Sequence, residues 1–255
     1  MPRDCLSITI MDTLVARLQD TLSSDQATRD AAEQYLAHET LPKSGTDDVL
    51  GVQLAQILSE ASLSLFVRQA AAIALKKYVR KRWSIFFDTF TQDMVVNGIV
   101  QTVDATPVEA KEHIRTSLLA CLCDAEPKVR SQASDILSVI SSCDFPDHFP
   151  QLLPTLQGYL HSYTEQDAHA AYKVHGAMKF LLDLVHVELD ENQLLMVAQQ
   201  LVPLLQGIVS SSSDWITPHT RARCINVFHQ CLISLYMAKD TYVDTVHMVT
   251  THYLP

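Results

Sequence analysis

Residues 129–153 read VRSQASDILSVISSCDFPDHFPQLL, and this stretch decides the fold. Apolar or small side chains at Val129, Ala133, Ile136, Leu137 and Ile140 keep the three-and-four spacing that lays one apolar stripe along a helix. That helix must then stop. Cys143-Asp144 run into Phe145-Pro146, and Phe149-Pro150 follow; a proline disfavours helical geometry in the residue before it but fits the first turn of a new helix. The stretch therefore predicts a helix, a turn fixed by two Phe-Pro pairs, and a second helix.

One helix pair cannot bury its own stripe, so copies are expected elsewhere. Alignment on Val129-Arg130 finds Thr28-Arg29, Val67-Arg68, Val174-His175 and Thr220-Arg221. Three residues beyond each pair stand Ala32, Ala71, Ala133, Met178 and Cys224, and seven beyond stand Leu36, Leu75, Leu137, Leu182 and Phe228. The small-then-large pattern recurs five times at intervals of 39, 62, 45 and 46 residues, which suits a two-helix repeat of HEAT or armadillo length with extra chain inserted once.

The expected fold is all-α, a right-handed superhelical solenoid of antiparallel helix pairs. Repeats are placed at 11–41, 46–87, 107–143, 146–188 and 191–237, with a half repeat at 240–253. Residues 1–10 are expected to be a disordered tail, and 88–106 an insertion holding either an extra helix over 92–103 or a surface excursion. Helix caps are expected at Ser24 or Asp25 and at Asp47 or Asp48. Because an array ending on half a repeat leaves an apolar face open, the array is expected to continue beyond residue 255 in a longer protein.

Composition agrees with a helical array. Of 255 residues 47% are hydrophobic and only six are glycine, which gives a large core and little material for tight hairpins. Arg68 interrupts the most promising apolar run, so no membrane span is expected, and the N-terminus MPRDCLSITIMD lacks the charge pattern of a secretory signal. The reading is of a soluble chain that is not exported. Six cysteines without framework spacing fit buried thiols in a reducing compartment. Net charge is −10, yet Lys76, Lys77, Arg80, Lys81 and Arg82 crowd into seven residues, leaving 14 basic against 29 acidic side chains elsewhere. Such a surface repels nucleic acid and attracts basic proteins.

Signatures of catalysis are missing: no glycine-rich phosphate loop, no CxxC and no HExxH occur, so neither an enzyme nor a cofactor or metal site is expected. His161, His169, His175 and His186 share the fourth repeat, but a spacing of six between His169 and His175 does not join their rings on a helix. The basic run at 76–82 admits a nuclear-targeting signal, an anion-docking patch, or cations favoured at a helix C-terminus by the macrodipole.

The residues Ala32-Glu33-Gln34-Tyr35-Leu36, Val67-Arg68-Gln69-Ala70-Ala71, Leu75-Lys76-Lys77-Tyr78-Val79 and Trp83 resemble the N-terminal domain of importin-β-type nuclear transport receptors. The Phe145-Pro-x-x-Phe149-Pro-x-Leu152 turn resembles that family's W-P-x-x-W-P-x-L turn, with phenylalanine for tryptophan. Residues 129–153 and 174–179 are most similar to a branch that carries core-histone dimers. The resemblance spans roughly residues 11–236 and implies a HEAT superhelix shuttling between cytoplasm and nucleus and transiently at the nuclear envelope. Its implied partners are Ran-GTP on the N-terminal inner helices, basic cargo such as histones, and Phe-Gly nucleoporins at the pore, with no direct nucleic acid and no membrane.

Helix geometry independently places a binding face. If −1, +3, +6 and +7 from each anchor face the core, then +1, +5, +8 and +12 face away. Among these are Asp30, Gln34, Gln69, Lys76, Arg80, Asp135 and Asp183, the candidate contacts for Ran or cargo, since solenoids bind along such a wall. Two other functions fit the same features: a HEAT scaffold of a phosphatase or trafficking complex, and an export receptor of the same family.

Overall fold

The computed structural model describes residues 3–40, 49–83, 95–96, 99–100, 106–165, 167–186 and 189–237. The described residues form ten α-helices: α1 (Arg3–Asp20), α2 (Gln26–Glu39), α3 (Leu50–Ser59), α4 (Leu65–Arg82), α5 (Val108–Cys121), α6 (Pro127–Asp144), α7 (Leu152–His161), α8 (Ala168–His186), α9 (Glu191–Ser210) and α10 (Pro218–Met237). Several start where local chemistry says they should. Asp25 caps α2, its carboxylate accepting from Thr28 N at 2.9 Å. Ser64 caps α4, and Asp190 closes a capping box with Gln193 at the head of α9. A cap side chain of this kind stabilises a helix by about 1 kcal/mol. Pro127 opens α6 at the position where a missing N–H costs nothing.

Three expectations need correction. Residues 3–10 are helical, because α1 starts at Arg3 rather than at Met11; the apolar run from Cys5 to Met11 simply continues the helix. Within 88–106, Val95–Val96 and Ile99–Val100 pair as a two-residue antiparallel ribbon, so these four residues, three of them valines and one an isoleucine whose β-branching favours extended backbone, are not part of a helix; the rest of 92–103 lies outside the described residues. And α9 from Asn192 to Ser210 is long and apolar enough to cross a bilayer by length and composition, its glutamines being uncharged; it packs instead against α7 and α10. Asp47, Asp48 and the half repeat at 240–253 lie outside the described residues, and Val49 stands at the N-cap of α3.

The chain divides into two compact units, Met1–Cys121 and Leu122–Pro255. In the first, α1 packs on α2 and α4, and α3 packs on α4 and α5. In the second, α8 is surrounded by α6, α7 and α10, and α9 packs on α7 and α10. The aligned positions explain this packing. Ala32, Ala71, Ala133, Met178 and Cys224 are all 0% exposed, so the small residue of each copy sits where its inner helix is pressed against neighbours. One turn later Leu75 and Leu137 are buried, whereas Leu36, Leu182 and Phe228 are half-buried.

The second residue of the anchor also has a job that periodicity did not reveal. Arg29 Nη1 donates to Ser23 O at 2.6 Å, Arg68 Nε to Leu58 O at 2.8 Å, and Arg130 Nη1 to Asp124 O at 2.5 Å and Ala125 O at 2.9 Å. Arg221 reaches Val209 O, Ile216 O and Ser211 O at 3.3, 2.6 and 2.7 Å. Each guanidinium reaches back to carbonyls at the end of the preceding helix or in the turn after it. Those carbonyls have no partner within the helix, and a charged donor satisfies them more strongly than a neutral one. In the fourth copy His175 replaces the arginine, and its Nε2 is buried without a hydrogen-bond partner.

The turn that opened the sequence reading is built as expected, with Phe145 and Phe149 4% and 2% exposed. Its Phe145-Pro146 peptide is cis. The carbonyl of Phe145 accepts from the Gln193 amide, so the turn is tied to the head of α9. Two glycines mark close approaches. A Cβ on Gly176 of α8 would lie 1.8 Å from the Leu122 carbonyl oxygen, and one on Gly51 of α3 would lie 2.5 Å from the Tyr78 ring.

Candidate protein-binding surface

The first unit carries the site. The segment leaving α1 and the helices α2, α3 and α4 enclose a groove of about 520 Å³. On α4 it is lined by Phe66, Gln69, Ala70, Ile73, Ala74, Lys77 and Lys81, a three-and-four series on one face of one helix. On the other side stand Leu22, Glu33, Leu36, Ala37 and Thr40, with Leu50 and Leu54 of α3 between. The floor is apolar and open: Phe66, Ile73 and Leu22 are 66%, 55% and 53% exposed. Three large apolar side chains exposed in one concave patch mark an interaction site more than scattered ones do.

Its charge is asymmetric. Lys77 and Lys81 stand on the α4 wall and Glu33 on the α2 wall, while Arg80 is exposed further along α4. Of the basic run, Lys77 and Arg80 are exposed, Lys76 and Lys81 are half-buried and Arg82 is buried. The end of α4 is held from the other side: Thr106 N and Oγ1 donate to Arg82 O at 2.9 and 3.0 Å, and Tyr78 Oη meets Thr106 Oγ1 at 3.1 Å. Lys111 and Arg115 stand over the fully buried Trp83 ring at 5.1 and 5.5 Å. The α4 face toward the groove is thus carried on a fixed backbone.

The candidate contacts fare differently. Gln69 lines the groove; Asp30 and Gln34 are exposed on α2, Asp30 accepting from Gln26 Nε2 at 2.6 Å. Asp135 and Asp183 belong to the second unit and share a cation there: Lys179 Nζ lies 3.5 Å from Asp135 Oδ1 and 2.6 Å from Asp183 Oδ1, and Ser134 Oγ also donates to Asp183. The outward rule fails on α8, where Gly176 and Phe180 at +1 and +5 are buried, because α8 has neighbours on three sides. Sequence reasoning missed Leu22, Phe66 and Ile73, and named Lys77 and Lys81 only as members of the 76–82 basic run. Ile73 occupies the +5 position of its copy, and a large apolar residue at an outward position was the signal available.

Elsewhere, burial shapes the titrating groups. It pushes the Cys224 and Cys231 thiols up to about 12 and raises Cys123. Burial, with Arg130, Arg223 and His219 nearby, holds His175 below its usual value. Hydrogen bonds from Thr28 keep the exposed Asp25 carboxyl below the usual carboxylate range. Among the described residues no cluster of histidine, cysteine and carboxylate side chains could hold a metal.

Comparison with known proteins shows what the chain is similar to. The model of the importin-β N-terminal domain matches residues 37–124. Importin subunit beta-5 of Schizosaccharomyces pombe is 27% identical over 200 residues, covering 78% of this chain and 18% of that protein. Importin-9 of Drosophila melanogaster is 24% identical over 226 residues (89% and 20%), and Exportin-2 of the same organism 27% over 143 (56% and 13%). The chain thus spans about a fifth or less of the curated relatives it matches. Yeast importin-β, Kap95p, shares the fold with a TM-score of 0.68 at 18% identity, over 95% of this chain and 27% of that one; the exportin Cse1 does so at 0.61 and 14%, over 89% and 23%. Residues 37–124 thus match an importin-β N-terminal domain, and the chain shares the all-α HEAT-repeat fold of the karyopherins.

Proposed function

We propose that the chain is the N-terminal HEAT array of a nuclear transport receptor, a carrier rather than an enzyme, and that the α2–α4 groove is its seat for Ran in the GTP form. The observation that carries this reading is the exposed apolar groove with lysines on one wall, set largely within the residues that match the importin-β N-terminal domain. Support comes from Kap95p, which is solved in complex with Nup1 and whose binding turns the switch loops of RanGDP to the GTP-bound conformation. The five helix pairs are taken as HEAT repeats in the intervals read from the sequence, with the first extended back to Arg3.

Basic cargo follows from charge. Outside the 76–82 run the chain holds 14 basic and 29 acidic side chains, so a cationic protein such as a core histone meets a complementary field that speeds encounter and masks its charge. Phe-Gly nucleoporins complete the partner set, and the receptor shuttles between cytoplasm and nucleus, touching the nuclear envelope in passing. The test is a binding measurement against GTP-locked and GDP-bound Ran. Tight binding of the GTP form alone is expected; equal binding of both, or of neither, ends the Ran reading. Similarity to Exportin-2 favours export as the second reading, and cargo binding strengthened by Ran-GTP would select it over import. A scaffold of another class would ignore Ran and hold one partner at all salt concentrations.

A further inference from the structure

In the described structure Arg29, Arg68, Arg130 and Arg221 each bond to carbonyls at or just beyond the end of the helix before their own. The fourth copy has no such arginine. His175 stands there with Nε2 buried and unpartnered, and the turn between α7 and α8, including the 3₁₀ segment Ser162–Thr164, is held from outside. Trp215, in the connection between α9 and α10, donates Nε1–H to Glu165 O at 3.1 Å. Its ring also meets the His175 ring edge-on, centroids 6.2 Å apart and planes at 70°. The other hold on Glu165 from the inner helix is weak, Lys173 Nζ lying 4.0 Å from its carboxylate.

We propose that Trp215 is a strap by which the α9–α10 connection, itself closed by Arg221, supplies the α7–α8 turn with a donor that its own inner helix lacks, while the arginine-bearing pairs close themselves. The inference follows from where donors are supplied. A repeat with its own arginine keeps its turn shut whatever its neighbour does, since in a helical array stability divides into terms within repeats and terms between neighbours. Here the arginine is missing from the within-repeat term, leaving local bonds such as Ser162 Oγ to Glu165 Oε1 at 3.2 Å and Ala170 N to Asp167 Oδ1 at 2.6 Å, and a between-neighbour hydrogen bond is added to them. Trp215 is half-buried at the surface, where a partner protein that takes up its indole N–H would release the α7–α8 turn. Arg130, Arg223 and His219 face His175, so the histidine cannot act as a cationic substitute for the arginine without repulsion.

Hydrogen exchange by mass spectrometry on the whole chain tests this. Trp215→Phe keeps the ring and removes the donor; amide exchange in 162–167 is expected to rise about threefold to tenfold, the range of one neutral hydrogen bond, with 124–130 unchanged. Arg130→Gln is expected to loosen its own turn at 124–126 and leave 162–167 protected. The strap is overturned if Trp215→Phe leaves 162–167 unchanged, if it raises exchange equally throughout the chain, or if Arg130→Gln loosens 162–167 as much as its own turn.

Discussion

Single residues in this chain decide whether helices can touch. Gly176 is the clearest case, because any Cβ there would lie 1.8 Å from a backbone carbonyl, and a backbone atom cannot swing aside as a side chain can. Gly176→Ala is expected to cost about 3 kcal/mol or more, read as a drop in the denaturant midpoint; a change below about 1 kcal/mol would show that α8 can shift without loss. His175 makes a second residue-scale prediction. Burial, aided by neighbouring cations, lowers its folded pKa beneath the ordinary value of 6.5. The folded state therefore binds fewer protons than the unfolded state, and stability is complete above that ordinary value and lost as pH falls through the folded one. Melting followed between pH 7 and pH 5 should show a steeper decline for the native chain than for His175→Gln, and parallel curves would remove the histidine from the account. The sequence showed that positions 32, 71, 133, 178 and 224 were equivalent because small size at a fixed spacing is a one-dimensional signal. It could not show what Arg29 or Arg221 bonds to, since the accepting carbonyls are set by how each turn folds back.

At the scale of the element, legibility followed the strength of local chemistry. Helices with a capping residue and an unbroken stripe, such as α2, α4 and α9, begin within a few residues of where their caps and stripes placed them. Those without were harder: the start of α1 lies eight residues early, and the backbone between α4 and α5 includes a short ribbon that neither alternative had placed. The capping box at Asp190 gives this scale its prediction. Asp190 Oδ1 accepts from Gln193 N, and Gln193 Oε1 accepts from Asp190 N, both at 2.8 Å, while the Gln193 amide also reaches the Phe145 carbonyl. Asp190→Ala should therefore lower stability by about 1 kcal/mol through the lost cap. Gln193→Ala should lower it by more, because it also leaves a buried turn carbonyl without its donor. Thermal melts of the two variants settle the order, and a Gln193→Ala that melts above Asp190→Ala would detach the turn from α9.

For the molecule as a whole, charge and exposed apolar surface point the same way. The sequence marked polar residues on outward helix faces as contacts, yet the open apolar ground lies between α2 and α4. Selecting only polar residues at outward positions discarded Ile73. If the groove seats Ran-GTP, then Phe66→Ala and Ile73→Ser, both at well-exposed side chains, should leave the melting temperature nearly unchanged. Each should weaken binding by about tenfold or more, as buried apolar anchors at interfaces do. Lys77→Glu with Lys81→Glu should act differently, slowing association and flattening its dependence on salt, because a charge at the rim of an interface acts mainly on encounter. Asp183→Asn supplies the contrast: its carboxylate is already engaged by Lys179 and Ser134, so Ran affinity should not move. Equal losses from all of these variants would mean a general loss of structure, and an unaltered Kd for Phe66→Ala and Ile73→Ser would place the GTPase away from the groove.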